Sequence, residues 1–261
     1  MTFTDAKQRF SNRVADYVRY RPSYPSEMVD LLRDECGLCP DYEIADVGSG
    51  TGILSKMFLE NGNRVFGVEP NDEMRHAGED YLSTFNNFSS IAGSAEATTL
   101  PDASVDFVTV AQAFHWFEPA ATRKEFQRIL RPAGFVVIVW NERLFDTTPF
   151  LRVYEALLHR FGNDYAKVSE SYPRQAQIRE FFAPNIFSHK SFPNFQEFDF
   201  DGVRGRLRGS SYAPSPDQPA FAPMMVELER IFDAHQHDGQ VRMDYTTHVY
   251  FGRLAAKRNS A

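Results

Sequence analysis

The stretch from residue 44 to residue 52, Ile-Ala-Asp-Val-Gly-Ser-Gly-Thr-Gly, limits the possible folds of this chain more than any other. The apolar residues before the first glycine are typical of a short buried strand. Three glycines within five positions predict a turn whose backbone adopts conformations that other residues avoid. A helical pattern begins at Ile53, and a second apolar run at 64–68 ends at Glu69. This order of elements predicts a βαβ unit with parallel strands.

The alternation of strands and helices continues to about residue 140 and predicts a parallel sheet with helices on both faces. We expect strands at 43–47, 64–68, 89–92, 105–110 and 135–140, and helices at 53–61, 74–82 and 120–130. Asn71 or Asp72 can cap the second of these helices. Pro132 and Gly134 are expected to end the third.

The pattern changes after residue 140. We expect helices at 150–161, 175–182 and 221–235, a short helix at 203–207, and strands at 186–200 and 241–254. The stretch 210–219 is rich in serine and proline and predicts a loop.

Composition and charge exclude several functions. The 261 residues carry a formal net charge of −7, whereas binding to nucleic acid phosphates favours a basic surface, so we expect no nucleic-acid partner. No apolar run reaches the roughly 18 residues of a membrane span, and residues 1–10 are too polar for a signal peptide. We therefore expect a cytoplasmic protein with no membrane partner.

The two cysteines form the motif Cys36-Gly-Leu-Cys39. A zinc site would need a second pair of ligands nearby in sequence, and a redox pair would open a helix after a strand. This pair instead follows a helical pattern, so we expect two reduced thiols and no metal site. His235 and His237 are too few for a metal site, and we expect them on the surface.

The glycine-rich turn has the features of a nucleoside-binding site. Ligands of doubly wound sheets bind where strands meet helix N-termini, and Glu69 can accept hydrogen bonds from both hydroxyls of a ribose. The spacing is GxGxG and not the GxGxxG of dinucleotide sites. Asp46 would repel a pyrophosphate and attract an ammonium group. The turn therefore favours a nucleoside that carries an amino acid over NAD.

The chain resembles the class I S-adenosylmethionine-dependent methyltransferases. The motifs that carry the resemblance, over about residues 40–140, are Asp46-Val-Gly-Ser-Gly-Thr-Gly52, Val68-Glu69-Pro70 with Met74, Gly93-Ser-Ala-Glu96, Leu100-Pro-Asp-Ala-Ser-Val-Asp106 and Leu130-Arg-Pro-Ala-Gly134. Less specific motifs resemble the small-molecule branch that includes trans-aconitate methyltransferase-like proteins. They are Tyr20-Arg-Pro-Ser-Tyr-Pro25, Ala113-Phe-His-Trp-Phe117, Trp140-Asn-Glu-Arg143 and Ser210-Ser-Tyr-Ala-Pro214.

The resemblance implies an α/β fold: a Rossmann-like seven-stranded sheet, mostly parallel, with an antiparallel C-terminal strand. Residues 1–261 would form one methyltransferase domain. Its cofactor-binding core would span about 40–140, an acceptor-side lid about 145–215, and an N-terminal flap 1–25.

The resemblance also implies S-adenosylmethionine as the cofactor and assigns residues to it. The predicted cofactor-binding residues are Tyr20, Arg21, Asp46, Gly48, Ser49, Gly50, Gly52, Glu69, Pro70, Met74, Ser94, Ala95, Glu96, Gln112 and Ala113. The glycines would pass under the methionine and ribose, Pro70 and Met74 would pack on adenine, and Gln112 with Ala113 would lie beneath the sulfonium. Many relatives have an aspartate where this chain has Ser94, which weakens the expected contact with the adenine amino group.

The acceptor side is predicted less sharply. His115, after the fourth strand, could take a proton from a hydroxyl, thiol or amine, or could only shape the pocket. A carboxylate acceptor would need no base, and Arg143 or Arg21 could anchor it through a bidentate pair; a loop salt bridge is the alternative for Arg143. The predicted substrate-binding residues are His115, Trp116, Trp140, Arg143 and Tyr212.

The leading hypothesis is transfer of a methyl group to an oxygen, nitrogen or sulfur of a small molecule, with a carboxylate or hydroxyl favoured. The alternatives are a non-catalytic S-adenosylmethionine-binding protein and an NAD-dependent oxidoreductase. We expect a monomer or a homodimer.

Overall fold

The structure, a computed structural model, describes residues 19–163, 165, 175–210 and 212–254. Its helices are α1 Glu27–Cys36, α2 Ile53–Glu60, α3 Asp72–Tyr81, α4 Pro119–Ile129, α5 Pro149–Phe161, α6 Gln175–Phe182, α7 Phe200–Arg208 and α8 Phe221–His235. Its strands are β1 Glu43–Val47, β2 Arg64–Val68, β3 Phe88–Ile91, β4 Val105–Ala111, β5 Leu130–Arg143, β6 Phe187–Phe198 and β7 Val241–Gly252. A 3₁₀ turn spans Phe114–Trp116. The part of the predicted flap at 1–18 lies outside the described residues.

The seven strands form one mixed sheet in the order β3-β2-β1-β4-β5-β7-β6. Strands β1 to β5 pair in parallel, and β7 runs antiparallel to both β5 and β6. The predicted fold, a mostly parallel seven-stranded sheet with an antiparallel C-terminal strand, is confirmed.

The register of the central strands brings the ends of β1, β2 and β4 together at one edge of the sheet. Asp46 of β1 lies opposite Gly67 of β2 and Thr109 of β4. Because parallel strands end together, the glycine turn, Glu69 and the segment after β4 meet at this edge.

Strand β5 is longer than predicted. It begins at Leu130, directly after α4, and includes Pro132 and Gly134, which were expected only to end the helix. The pairing with β4 shifts between Val105 and Phe107, so extra β5 residues are accommodated there as a bulge. At its other end β5 continues to Arg143 because antiparallel pairing with β7 extends that far.

Helices cover both faces of the sheet, as predicted. One apolar cluster contains residues of α1 and α2, including Leu32 and Phe58. The cluster on the other face contains residues of α4 and α6, including Phe126 and Phe182. Within the described ranges, no helix is both long and apolar enough to cross a membrane.

A third apolar cluster lies beyond the parallel core. Residues of α5, α7 and α8 pack there against the ends of β6 and β7. Helix α7 is longer than the predicted 203–207 because Asp199 caps it: its Oδ1 accepts a hydrogen bond from Gly202 N at 2.7 Å. The segment 145–215, expected to form a lid, thus contributes β6 to the sheet and two helices to this cluster.

Candidate cofactor and acceptor sites

The glycine turn is shaped by backbone conformations that only glycine adopts easily. Gly48, Gly50 and Gly52 have φ values of 69°, 57° and 82°. The amides of Gly48 and Ser49 donate to the carbonyl of Val68 at 2.8 and 3.2 Å, which ties the turn to the end of β2. Helix α2 begins directly after Gly52, so the N-terminus of the helix is directed at the turn.

The segment after β4 packs directly on this turn. A Cβ atom at Gly48 would lie 2.7 Å from Ala113 Cβ and 3.3 Å from Phe117 Cζ. Gln112 adopts a positive φ of 55°, which turns the chain at this point. The structure therefore brings predicted cofactor residues from β1 and β4 together.

Glu69 lies beside the turn and is nearly buried, with 8% of its surface exposed. Its Oε2 accepts a hydrogen bond from Gly50 N at 2.9 Å, and its Oε1 accepts one from Asn71 N at 2.8 Å. Burial raises the pKa of its carboxyl, although the two backbone hydrogen bonds oppose the shift. A carboxylate in this position can exchange the Gly50 amide for ligand hydroxyls.

Asp46 is held within the protein. It is 1% exposed, and its oxygens accept hydrogen bonds from Ser55 Oγ at 2.6 Å and Thr109 Oγ1 at 3.0 Å. Burial raises the pKa of the carboxyl to about 6, although both hydroxyls oppose the shift. As placed, the carboxylate anchors β1, α2 and β4 beneath the turn.

The residues predicted to hold adenine follow β2 and β3. Met74 is buried and its Cε approaches Gly50; Pro70 is half-buried in front of α3. Ala95 is buried, between the half-buried Ser94 and Glu96. The Oε1 of Glu96 accepts a hydrogen bond from the backbone of Glu118 at 3.0 Å, so part of its acceptor capacity is occupied.

His115 lies in the 3₁₀ turn, against two of the predicted aromatic residues. Its ring centroid is 4.5 Å from that of Trp116 and 5.2 Å from that of Trp140. Its Nδ1 is buried with no hydrogen-bond partner among the described residues. Burial, and then the positive charge of Arg21, lower the pKa of the imidazole to about 4.

Open space and a second buried acceptor lie near His115. A cavity of about 380 Å³ lies between the 3₁₀ turn, α4 and α6, and its lining includes His115, Phe117, Arg123, Glu180 and Phe181. Of the predicted substrate-binding residues, only His115 lines it. The Nε2 of Gln112 donates to the carbonyl of Asn141 at 3.1 Å. Its Oε1 is buried and has no partner within the described ranges.

Arg143 and Tyr212 lie in a separate group of tyrosines and arginines. Arg143 forms an ion pair with Glu155 and donates to Tyr165 Oη at 2.8 Å. The Tyr165 and Tyr212 rings meet edge to face, with centroids 4.9 Å apart. Arg143 therefore forms a salt bridge, but the pair joins the end of β5 to α5 and does not lie in a loop.

Tyr20 and Arg21 connect this group to His115. Tyr20 packs edge-on against Phe198 at 6.4 Å between centroids, and Gly205 leaves room for its ring, since a Cβ there would collide with it. The positive charge of Arg21 lowers the pKa of both His115 and Tyr212, so Arg21 acts on both groups. Tyr20 therefore packs against α7.

Several residues of these sites were missed in the sequence. They are Ser55, Thr109, Asn141 and Arg206. Asn141 donates to Ser23 O at 3.1 Å and accepts from Thr247 at 2.5 Å, which ties the N-terminal segment to the sheet. Of these residues, only Thr109 could have been predicted from the sequence, because its strand runs parallel to β1 and ends at the same edge of the sheet.

The cysteine motif lies at the end of α1. Both thiols are free. Burial, and then the charge of Glu35, raise the pKa of Cys36 to about 12, which disfavours a reactive thiolate. Within the described ranges, no cluster of three or more histidine, cysteine or acidic residues can hold a metal ion.

Comparison with known proteins shows that part of the chain is similar to methyltransferases. Residues 45–138 match the family model of a methyltransferase domain. The chain is 39% identical over 140 residues to an uncharacterized methyltransferase of Mycobacterium tuberculosis, which covers 53% of this chain and 54% of that protein. It is 36% identical over 157 residues to an uncharacterized methyltransferase-like protein of Schizosaccharomyces pombe, which covers 59% of each. The chain thus spans little more than half the length of these curated relatives.

A ubiquinone/menaquinone biosynthesis C-methyltransferase of Paraburkholderia phytofirmans is 29% identical over 147 residues, covering 53% of this chain and 60% of that protein. Among solved structures, a candidate type II methyltransferase from Anaeromyxobacter dehalogenans superimposes with a TM-score of 0.64 over 91% of this chain and 99% of that one, at 22% identity. The sheet is that of the Rossmann-like methyltransferase fold. Residues 45–138 thus resemble the S-adenosylmethionine-dependent methyltransferases, a family in which S-adenosylmethionine is the methyl donor.

The residues present fit this cofactor. Gly50 has only Met74 Cε near its open side, at 3.4 Å from where a Cβ would lie, so the turn can receive a ligand. Glu69 provides the carboxylate for a ribose, and Gln112 Oε1 provides an acceptor without a partner in the described part of the chain.

Proposed function

We propose that this protein transfers a methyl group from S-adenosylmethionine to a small-molecule acceptor, with a carboxylate or hydroxyl oxygen favoured over nitrogen or sulfur. The observation that carries the proposal is the packing of the Gln112–Phe117 segment on the glycine turn, with a Cβ at Gly48 reaching 2.7 Å from Ala113. This packing sets the residues predicted to receive the acceptor directly beside those predicted to hold the donor.

The cofactor, when bound, supplies a methyl group on a positively charged sulfonium. Glu69 would hold the ribose hydroxyls, and Met74 with Pro70 would flank adenine. Gln112 and Ala113 would form the floor under the reacting atoms. The rigid turn keeps donor and acceptor aligned, which is the main requirement of an in-line displacement.

His115 has the state required of a proton acceptor. Because burial lowers its pKa to about 4, the imidazole is neutral near pH 7, and its buried Nδ1 has no partner among the described residues. It is free to accept a hydrogen bond or a proton from a hydroxyl, thiol or amine, but the lowered pKa makes it a weak base. For a carboxylate acceptor no base is required, and His115 with Trp116 and Trp140 would form the wall of the pocket.

The cavity beside His115 has the size of a small-molecule site, although the other predicted substrate-binding residues do not line it. Its volume of about 380 Å³ lies within the roughly 300–1,000 Å³ of small-molecule sites. The motifs shared with trans-aconitate methyltransferase-like proteins support the same class of acceptor. They do not identify the acceptor.

An acceptor screen tests the proposal. The protein is incubated with S-adenosylmethionine and panels of carboxylic acids, phenols, thiols and amines, and released S-adenosylhomocysteine is counted. We expect turnover in one class and a product heavier by one methylene. Binding of S-adenosylhomocysteine with no turnover in any class would favour the binding-protein alternative. Preferential binding of NAD would favour the oxidoreductase alternative.

A further inference from the structure

Residues 20–24, which we call the strap, include Tyr20 and Arg21, two of the predicted cofactor-binding residues. The strap touches two of the apolar clusters. Tyr24 is buried in the cluster of α1 and α2, and Tyr20 packs against the cluster of α5, α7 and α8. Pro22, between them, has a fixed φ and no N–H to donate. The strap thus bridges two separately packed parts of the molecule.

Side-chain amides of two strands hold the strap through its carbonyl oxygens. Ser23 O accepts hydrogen bonds from Asn141 Nδ2 of β5 at 3.1 Å and from Asn194 Nδ2 of β6 at 2.8 Å. Tyr20 O accepts a third from Gln196 Nε2 of β6 at 3.3 Å. A neutral hydrogen bond contributes little net free energy, because water can replace it. A strap held in this way can be released and bound again.

Asn141 is the most deeply buried of these three amides, with 4% of its surface exposed. Its Oδ1 accepts a hydrogen bond from Thr247 Oγ1 of β7 at 2.5 Å, and Thr247 is itself fully buried. Because the amide oxygen is fixed by Thr247, the amide nitrogen is directed at Ser23. The donor that binds the strap is therefore oriented by the sheet.

The same residue also holds the segment that packs on the glycine turn. The carbonyl oxygen of Asn141 accepts a hydrogen bond from Gln112 Nε2 at 3.1 Å. Gln112 is followed by Ala113, whose Cβ lies 2.7 Å from the position of a Cβ at Gly48. Asn141 thus contacts the strap with its side chain and the predicted floor of the cofactor site with its backbone.

The strap also brings a positive charge near His115. The charge of Arg21 is the second cause, after burial, of the low pKa of the His115 imidazole. Coulombic interactions weaken with distance, so Arg21 lies within electrostatic range of His115 when the strap is bound at Ser23. The position of the strap therefore bears on Gln112 and on His115 together.

We propose that Asn141 is a positioning residue that couples closure of the strap to binding of the cofactor. The proposal rests on the proposed function and adds a regulation of the same site. Gln112, restrained by a bound cofactor, restrains Asn141 in turn, and the Asn141 side chain then holds the strap at Ser23. Such coupling is reciprocal, so the closed strap raises cofactor affinity by the same factor by which the cofactor favours closure.

Hydrogen exchange of the strap amides, measured on the full chain with and without saturating S-adenosylhomocysteine, tests the coupling without any need for turnover. In the wild type we expect the ligand to slow this exchange about fivefold or more. Asn141→Ala should lose most of the slowing. It should also bind S-adenosylhomocysteine about 3- to 10-fold more weakly by calorimetry, as expected for the loss of a neutral hydrogen bond.

A second variant and a matched control sharpen the test. Asn194→Ala removes the other bond to Ser23 and should reduce the slowing without abolishing it. If Asn141→Ala does not fold, an unchanged slowing in Asn194→Ala overturns the proposal. Asn185→Ala is the control: its Nδ2 donates to Arg253 O at 2.8 Å, near the opposite end of β6. It should leave strap exchange and ligand affinity within about twofold.

A purely structural Asn141 would lower the unfolding free energy of its variant in urea and leave the ligand-dependent slowing intact. Two results would overturn the coupling: S-adenosylhomocysteine that binds the wild type without slowing strap exchange, or a folded Asn141→Ala with wild-type slowing and affinity. Failure of the proposed function has a different signature, an absence of S-adenosylhomocysteine binding by the wild type, and it would overturn the coupling as well.

Discussion

The glycine turn and the tyrosine–arginine cluster, which contains Arg143, Tyr165, Arg206, Tyr212 and Tyr245, are built in opposite ways. The turn is made of backbone: three glycines with positive φ, amides bonded to Val68, and a carboxylate that accepts from Gly50. The cluster is made of side chains from α5, α7, β5 and β7. A backbone site tolerates few changes and recognises one ligand, whereas a side-chain site can vary residue by residue. This difference explains why the sequence predicts the methyl donor more sharply than the acceptor.

The largest expected effect falls on the turn. Gly48→Ala places a Cβ 2.7 Å from Ala113 Cβ in a left-handed backbone conformation, and we expect a loss of about 2–5 kcal/mol in unfolding free energy from strain and overpacking together. Gly37 has the same φ of 69° and nothing within 4 Å of its Cβ position, so Gly37→Ala should cost only the strain, about 1–2 kcal/mol. Urea unfolding compares the two variants, and equal losses would show that the turn is not tightly packed.

The next effect concerns Asp46, whose pKa is raised to about 6 by burial. Between about pH 4 and pH 6 the folded protein keeps a proton that the unfolded chain has lost, so the unfolding free energy falls as the pH rises through this range. Relative to Asp46→Asn, the wild type should lose on the order of 3 kcal/mol of unfolding free energy between about pH 4 and pH 6. It should lose nothing further above about pH 7. Unfolding free energies of both proteins at four pH values measure this difference. A constant difference would mean that Asp46 is not buried as described.

Glu155→Gln tests the other region. It leaves the buried Arg143 guanidinium without its carboxylate, and we expect a loss of about 1–3 kcal/mol in unfolding free energy. The affinity for S-adenosylhomocysteine should stay within twofold, because the turn makes none of these contacts. Glu227→Gln, which breaks a surface pair with Arg230, is the matched control and should cost much less, because solvent screens that pair. A large loss of cofactor affinity in Glu155→Gln would contradict the separation of the two regions.

The smallest effect is spectroscopic. Burial lowers the pKa of His115 to about 4, so its imidazole should remain neutral at pH 5.5. An unshifted histidine would be about 90% protonated there. Titration of the His115 ring by NMR, assigned with His115→Gln, measures the midpoint. A midpoint near 6.5 would contradict the burial of the His115 imidazole.

The sequence predicted the cofactor region well because its signals are local. The apolar run before Gly48, the glycine spacing and the acid at Glu69 all lie within one βαβ unit, and the strands β1 and β2 begin and end at the predicted residues. The end of β5 was predicted too early, because its pairing partner β7 lies about a hundred residues later in the chain. Local patterns carry no information about such partners.

The acceptor region was predicted only in part, for the same reason. Arg143 and Tyr212 were expected in it, and they do lie together. However, the carboxylate that pairs with Arg143 comes from α5. Arg206 comes from α7, and the sequence pattern does not distinguish it from an exposed helix residue. Its burial follows from how α5, α7 and α8 pack together, which no single segment reveals.

The central claim is that the glycine turn and Glu69 hold the cofactor. Calorimetric titration of S-adenosylhomocysteine into the wild type, Glu69→Gln and the exposed control Glu73→Gln tests it most directly. We predict binding by the wild type and the control, and a loss of about tenfold or more in Glu69→Gln, since the ribose hydroxyls lose a charged acceptor. Equal affinity of a folded Glu69→Gln and the wild type would contradict the account.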